Sequence, residues 1–171
     1  MAEWRRIYNA ARVFCPEYIH SAMLLVLVIG QRRGYIVRLH RLLIWDDHLH
    51  IVQQKTGAQI ALPLALRCEA LDLSLHELLE QCPGDGLFIN DTTIGPWNLT
   101  HWFAYARDIA FSRASWLGAP PKFHEQRSLA ERLYRVQGVD TKTLLGHGHK
   151  SMSQTDRYND DRGRECRRFI L

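Results

Sequence analysis

The last quarter of the chain carries side chains suited to one kind of chemistry. His124-Glu125-Gln126-Arg127-Ser128 is followed by Leu144-Leu145-Gly146-His147-Gly148-His149-Lys150, and then by Asp156-Arg157-Tyr158-Asn159-Asp160-Asp161-Arg162-Gly163. Attack on a phosphodiester gathers charge on its non-bridging oxygens, and the planar fork of an arginine offers two hydrogen bonds to such oxygens. Arg32 and Arg127 suit that task. A phenol, with a pKa of about 10, is a poor nucleophile until it is desolvated and oriented beside cations. Tyr158 is the candidate, because its strongly polar neighbours favour an exposed functional phenol over a core aromatic. Imidazoles titrate close to working pH, so His124 and His149 can donate to phosphate oxygens or assist proton transfer. One turn separates His124 from Arg127, which puts both on one helical face.

Each of these residues also has a plainer reading. Arg32 taken alone is a solvated charge at a helix end, as most surface arginines are. Lys55 sits in a turn, where lysines are usually just hydrated, and His124 is placed to cap the helix that follows it. His147-x-His149 has the look of a metal pair, yet no third and fourth ligand stand at zinc spacing. Trp97, Trp102, Phe103 and Tyr105 lie at helical spacing and read as core in preference to a base-stacking platform.

The elements that must position these groups can be read from periodicity. Residues 3 to 30 carry apolar side chains at helical spacing and break near Pro16, giving two helices. Trp45-Asp46-Asp47 is a turn, and residues 48 to 62 read as a β-hairpin with Lys55 at its tip. From Pro63 the pattern predicts helix over Leu64 to Leu73 and Leu75 to Leu79, with a strand remnant at Leu87-Phe88-Ile89. Further helices are expected from Asn98 to Phe111, with Leu99, Trp102, Phe103 and Ala106 as its apolar stripe, and from His124 to Gln137, with Leu129, Leu133 and Val136 facing inward. The fold class is therefore α+β, mostly helical, with a small antiparallel sheet.

Composition narrows the function classes. A chain of 171 residues, 46% hydrophobic and 23% charged, suits one domain with a full core. Its longest apolar run, Ala22 to Ile29, is too short to span a bilayer, and Glu3-Trp4-Arg5-Arg6 is no signal peptide, so a cytoplasmic location is expected. Cys15, Cys68, Cys82 and Cys166 are widely spaced and read as reduced thiols. The net charge of +4 and a pI near 9.0 suit a polyanionic partner.

Taken together, Gly30-Gln31-Arg32, Gln54-Lys55-Thr56-Gly57, His124-x-x-Arg127, Leu144-Leu145-Gly146-His147 and Tyr158-x-Asp160-Asp161-Arg162-Gly163 resemble the catalytic domain of the tyrosine recombinases, the phage integrases of the lambda type. The five segments stand in family order from about residue 3 to the end, which is far more specific than any one of them. The resemblance implies the DNA breaking-rejoining fold, with Arg32, Lys55, His124, Arg127, His149 and Tyr158 as the site. Lys55 would protonate the leaving 5′ hydroxyl, and a 3′-phosphotyrosyl intermediate would conserve the bond energy, so that no cofactor, ATP or metal is needed. It further implies double-stranded DNA as partner, at the core of an attachment site, and a tetramer on DNA with a monomer in isolation. The cellular place would be the bacterial host cytoplasm, at the nucleoid when on DNA. On this reading residues 1 to 171 are a single catalytic domain, and the family's N-terminal DNA-binding portion is absent. Arg167-Arg168-Phe169-Ile170-Leu171 would contact a neighbouring protomer or pack on its own domain.

Three positions depart from the family pattern. The motif match selects His147, whereas spacing to Tyr158 and His124 selects His149. Tyr35 stands where the family usually has an acidic residue that orients the first arginine, and Gln126 stands where an apolar residue is common. Three functions stay open at this point: site-specific recombination, a degenerate prophage-remnant homologue that binds DNA without cleavage, and topoisomerase-like nicking and resealing without strand exchange.

Overall fold

The computed structural model describes residues 1–54 and 57–146, together with the backbone of 167–168. Helices α1 (Ala2–Phe14) and α2 (Glu17–Ile29) flank the break at Pro16, as the spacing predicts. Proline has no N–H to donate and so costs nothing just ahead of a helix, where that group would have no partner. Apolar on every side from Ala22 onward, α2 buries Ile19, Ser21, Ala22, Met23 and each residue from Leu25 to Ile29, and such a helix belongs at the centre of a domain. Gly30 ends it in the left-handed conformation at φ 63°. A short helix, α3 (Arg33–Ile36), follows at once.

Strands β1 (Ile44–Trp45) and β2 (His48–Val52) are joined by Asp46 and Asp47, both at positive φ, the backbone that a two-residue hairpin turn requires. The two-residue β1 has no period of its own and escapes the sequence pattern. β3 (Gln59–Pro63) pairs antiparallel with β2 from Val52↔Gln59 to His48↔Pro63, which is the expected hairpin. Residues 64–73 are not helical, contrary to expectation. They form β4 (Arg67–Cys68), a 3-10 turn at Glu69–Leu71 and β5 (Leu73–Ser74). Asp72 at φ 53° cannot continue a helix, and its carboxylate is held 2.6 Å from Arg67, which also lies 3.1 Å from Glu77. A Ser74–Glu77 capping box then starts α4 (Leu75–Gln81). The 87–89 segment contributes only a bridge between Leu87 and His40.

Beyond it come α5 (Pro96–Ala110), α6 (Glu125–Val136) and α7 (Thr141–Leu145). Trp4, Ile7 and Ala11 of α1 pack towards α5, whose Leu99, Phe103 and Ala106 are buried as the stripe predicts, while Trp102 is half-buried. Trp97 and Tyr105, expected in the core, are 67% and 47% exposed. On α6 the buried line is Gln126, Ala130 and Tyr134, one turn apart each; Leu129 and Leu133 are half-buried and Val136 is exposed. The reason is a polar anchor, for the Tyr134 hydroxyl donates to the Val28 carbonyl of α2 at 2.7 Å and fixes the rotation of α6. Finally β6 (Arg167–Arg168) pairs parallel with β3, Arg167 with Ile60 and Arg168 with Ala61. The four-stranded sheet β1-β2-β3-β6 is thus antiparallel with one parallel edge, and this part of the tail lies on its own sheet. Phe169–Leu171 lie outside the described residues.

Among the described residues no helix is long and apolar enough to cross a membrane. Cys15, Cys68 and Cys82 are free thiols, and burial pushes Cys82 up to about 12, far from a thiolate at neutral pH. Tyr134→Phe removes the hydroxyl that donates to the Val28 carbonyl at the α2–α6 contact, and a urea titration should show a loss of about 1–2 kcal/mol with the m-value unchanged.

Candidate functional site

The site residues come from segment ends, where the chain must turn. Gly30 lets α2 stop abruptly, and Arg32, exposed, is the residue that precedes α3. A side chain at Gly30 would bring its Cβ to 2.7 Å from Leu145 Cδ2, so this glycine also permits a close approach between the α2 end and α7. Arg33 donates to Thr100 Oγ1 and ties the same junction to α5. Arg127 lies in the first turn of α6 and is half-buried, and His124, exposed, precedes that helix without capping it through its side chain.

Arg127 Nη2 donates to the Leu145 carbonyl at 2.7 Å, close to the end of α7. Helix-terminal carbonyls have no partner within the helix, so a cation there satisfies an orphan acceptor. Its guanidinium also lines an open depression of about 660 Å³ with Ser128, Glu131, Thr141, Lys142 and Leu145. Desolvation, reinforced by the nearby charge of Arg32, lowers Arg127 to about 10, while Tyr35 acts in the opposite sense. At neutral pH the group stays charged. Two arginines from distant segments are therefore held near each other in spite of repulsion, and a bound oxyanion would relieve both the repulsion and the lost hydration. Tyr35, which replaces the usual acid, faces this pair electrostatically, and its ring lies 5.7 Å from the Arg38 guanidinium carbon.

Two further residues complete the arrangement, and sequence reasoning passed over them. Gln31 and Gln53 are fully buried, 0% and 1% exposed. Gln31 Nε2 donates to the Leu144 carbonyl at 2.8 Å and the Ile29 carbonyl at 3.2 Å. Gln53 Nε2 donates to Gln31 Oε1 at 2.9 Å and to the Leu145 carbonyl at 2.8 Å. The signal was available: Gln31 stands inside the Gly30-Gln31-Arg32 segment, and Gln53 directly precedes the Gln54-Lys55-Thr56-Gly57 segment.

Gln126, the other departure, is also buried and bonded. Its Oε1 accepts from Trp4 Nε1 at 2.7 Å and its Nε2 donates to the Phe123 carbonyl at 3.2 Å. A polar residue in an apolar position is costly only when it lacks partners, and here α1 supplies one. The substitution is compensated, which is not the mark of random drift.

The structure thus gathers Arg32, Arg127 and Tyr35, and places His124 one turn from Arg127. Lys55, His147, His149 and Tyr158 lie outside the described residues. On either side of residues 55–56, Gln53 N–H donates to the Ala58 carbonyl at 2.8 Å and Gly57 N–H donates to the Gln53 carbonyl at 2.7 Å. Gly146, at φ 64°, ends α7 just before the histidines; a Cβ there would fall 2.5 Å from Gln53 Nε2.

The model of the phage integrase family matches residues 2–164. Prophage integrase IntE of Escherichia coli (strain K12) is 45% identical over 185 residues, covering 100% of this chain and 48% of that protein. The integrase of Escherichia phage lambda is 39% identical over 169 residues, covering 95% and 47%. The chain spans about half the length of the curated relatives it matches. Among solved structures, the lambda integrase catalytic core superposes with a TM-score of 0.78 at 35% identity, covering 85% of this chain and 92% of that one. A lambda integrase tetramer bound to a Holliday junction gives 0.78 at 37% identity, covering 96% and 48%.

Because Arg127 is a desolvated cation facing another, Arg127→Met should leave stability to urea equal or raised by roughly 1 kcal/mol, while retention of DNA or inorganic phosphate falls. A stability loss above that of Tyr134→Phe would show that its bond to Leu145 outweighs the repulsion.

Proposed function

The chain belongs to the phage integrase family, and on that premise we propose that it cleaves and rejoins double-stranded DNA in site-specific recombination, through a 3′-phosphotyrosine intermediate. The observation that carries the reading is the convergence of Arg32 and Arg127, two cations from remote segments, beside the end of α7 that leads towards His149 and Tyr158.

In the proposed reaction the Tyr158 phenolic oxygen attacks phosphorus in line with the 5′ oxygen. A Tyr158–phosphate bond forms as the bond from phosphorus to the 5′ oxygen breaks, and Lys55 gives that oxygen its proton. Arg32 and Arg127 hold the non-bridging oxygens as charge accumulates on them, and their partial dehydration strengthens the hold. His124 and His149 donate to the same phosphate or take the phenolic proton. The reverse attack, by the 5′ hydroxyl of a second strand, releases Tyr158 and exchanges partners. Every bond broken is balanced by one made, so no external energy source enters.

The compensated Gln126 supports an active site over a degenerate one, because a decaying chain would not be expected to retain its Trp4 partner. DNA at the core of an attachment site is the proposed substrate, with protomers assembling as a tetramer around two duplexes in the bacterial cytoplasm. Lambda integrase has been solved as a dimer on a core site and as a tetramer on a Holliday junction, which supports this assembly. Residues 1–171 would act as the catalytic domain, with DNA affinity resting on a few phosphate contacts and weakening steeply with salt.

Supercoiled plasmid at low salt, quenched with SDS, tests the reading without knowledge of the attachment site. Relaxation and protein-linked DNA are expected with the native chain, and both should vanish with Tyr158→Phe. DNA retention without either product would favour the degenerate reading, whereas relaxation with no exchange between paired attachment-site duplexes would favour nicking and resealing alone.

A further inference from the structure

Four segments that bear the candidate reactive residues meet at two carbonyl oxygens. Leu144 O accepts from Gln31, and Leu145 O accepts from both Gln53 and Arg127. Gln31 directly precedes Arg32, Gln53 stands two residues before Lys55, and Leu145 stands two before His147 and four before His149. The Gln53-to-Gln31 bond then closes the node. We infer that Gln31 and Gln53 are positioning residues, which lock the Arg32 junction, the chain at Gln53 that follows β2 and the end of α7 to Arg127 as one body.

The alternative is a polar pair that is merely satisfied in the core. Part of their use is stability, since an apolar pair of similar volume would take these donors from the Leu144 and Leu145 carbonyls. Direction is what the amides add. Each hydrogen bond fixes a distance and an angle between segments, whereas apolar contacts tolerate sliding. Both available donors of Gln53 are used within the node, one on each of two different segments, and both donors of Gln31 are used as well. The glycines agree with a node drawn tight, since a side chain at Gly30 would strike Leu145 and one at Gly146 would strike Gln53 and Ile60. Misplacing a reacting group by about 1 Å costs roughly a hundredfold in rate, so the looseness left by one lost amide would be felt at every member of the site.

The inference rests on the proposed strand-cleavage reading for its effect on rate, but its mechanical part does not. Gln31→Met and Gln53→Met keep length and volume while removing the donors, and Tyr134→Phe is the control, a comparable loss of a buried hydrogen bond between α2 and α6. Amide hydrogen exchange on the whole chain is the first measurement. Gln31→Met should speed exchange by at least about tenfold in two elements that do not contain it, the 53–58 turn and α7, with Tyr134→Phe leaving both unchanged. Faster exchange confined to residues 29–32 would overturn the coupling. The second measurement is the rate of covalent adduct at saturating plasmid. It should fall by about tenfold or more for either glutamine variant, with the half-saturating DNA concentration unchanged within about twofold. An equal fall in the Tyr134→Phe variant at matched loss of melting temperature would reduce both glutamines to stability residues. Absence of any Tyr158-dependent adduct from the native chain would instead sink the cleavage reading, and the exchange result would still decide the coupling.

Discussion

A buried carbonyl at a helix end must find a donor, and that requirement organises this molecule. The last turn of α7 leaves the oxygens of the buried Leu144 and Leu145 without intrahelical partners. Donors have to come from elsewhere, and they come from Gln31, Gln53 and Arg127. Satisfying two acceptors therefore draws three remote pieces of chain to one place. The candidate site is built around that convergence, because each donor either is a candidate reactive residue or stands within two positions of one.

The same convergence sets the electrostatics. Arg127 donates to the Leu145 carbonyl from a half-buried position near Arg32, and desolvation followed by the Arg32 charge lowers its pKa. Such a site is unfavourable when empty and favourable when an anion enters, which is the form of a preorganised oxyanion site.

The frame around the node is conventional in its physics. Helix α2, apolar from Ala22 to its end, forms the axis, α1 and α6 pack against it, and polar anchors set rotation: Tyr134 to Val28 for α6, Trp4 to Gln126 for the contact of α1 with α6. The second anchor explains how a glutamine came to be tolerated in an apolar position, and it shows that a departure from a family pattern has to be judged with its neighbours.

By itself the sequence determined the helix pair around Pro16, the hairpin at 48–62 and two later helices, expected at 98–111 and 124–137 and found at 96–110 and 125–136, because each carries a strong local period or a turn residue with one conformation. It also determined which residue types were chemically apt, since arginine pairs, imidazoles and a phenol in a polar setting are properties of composition and spacing. Residues 64–73 misled, since a leucine-rich stretch has helical periodicity whether or not Asp72 at positive φ and its bonds to Arg67 allow a helix. Val136 misled in the same way, as the rotation of α6 is set by a hydroxyl bonding to another helix. What only the tertiary structure decided was which of these groups meet. That Arg32 lies near Arg127, that Gln126 has Trp4, and that Gln31 and Gln53 join the segments of the site are facts about residues 22 to 122 positions apart. No local pattern encodes them, because a hydrogen bond between distant segments leaves no period in the chain.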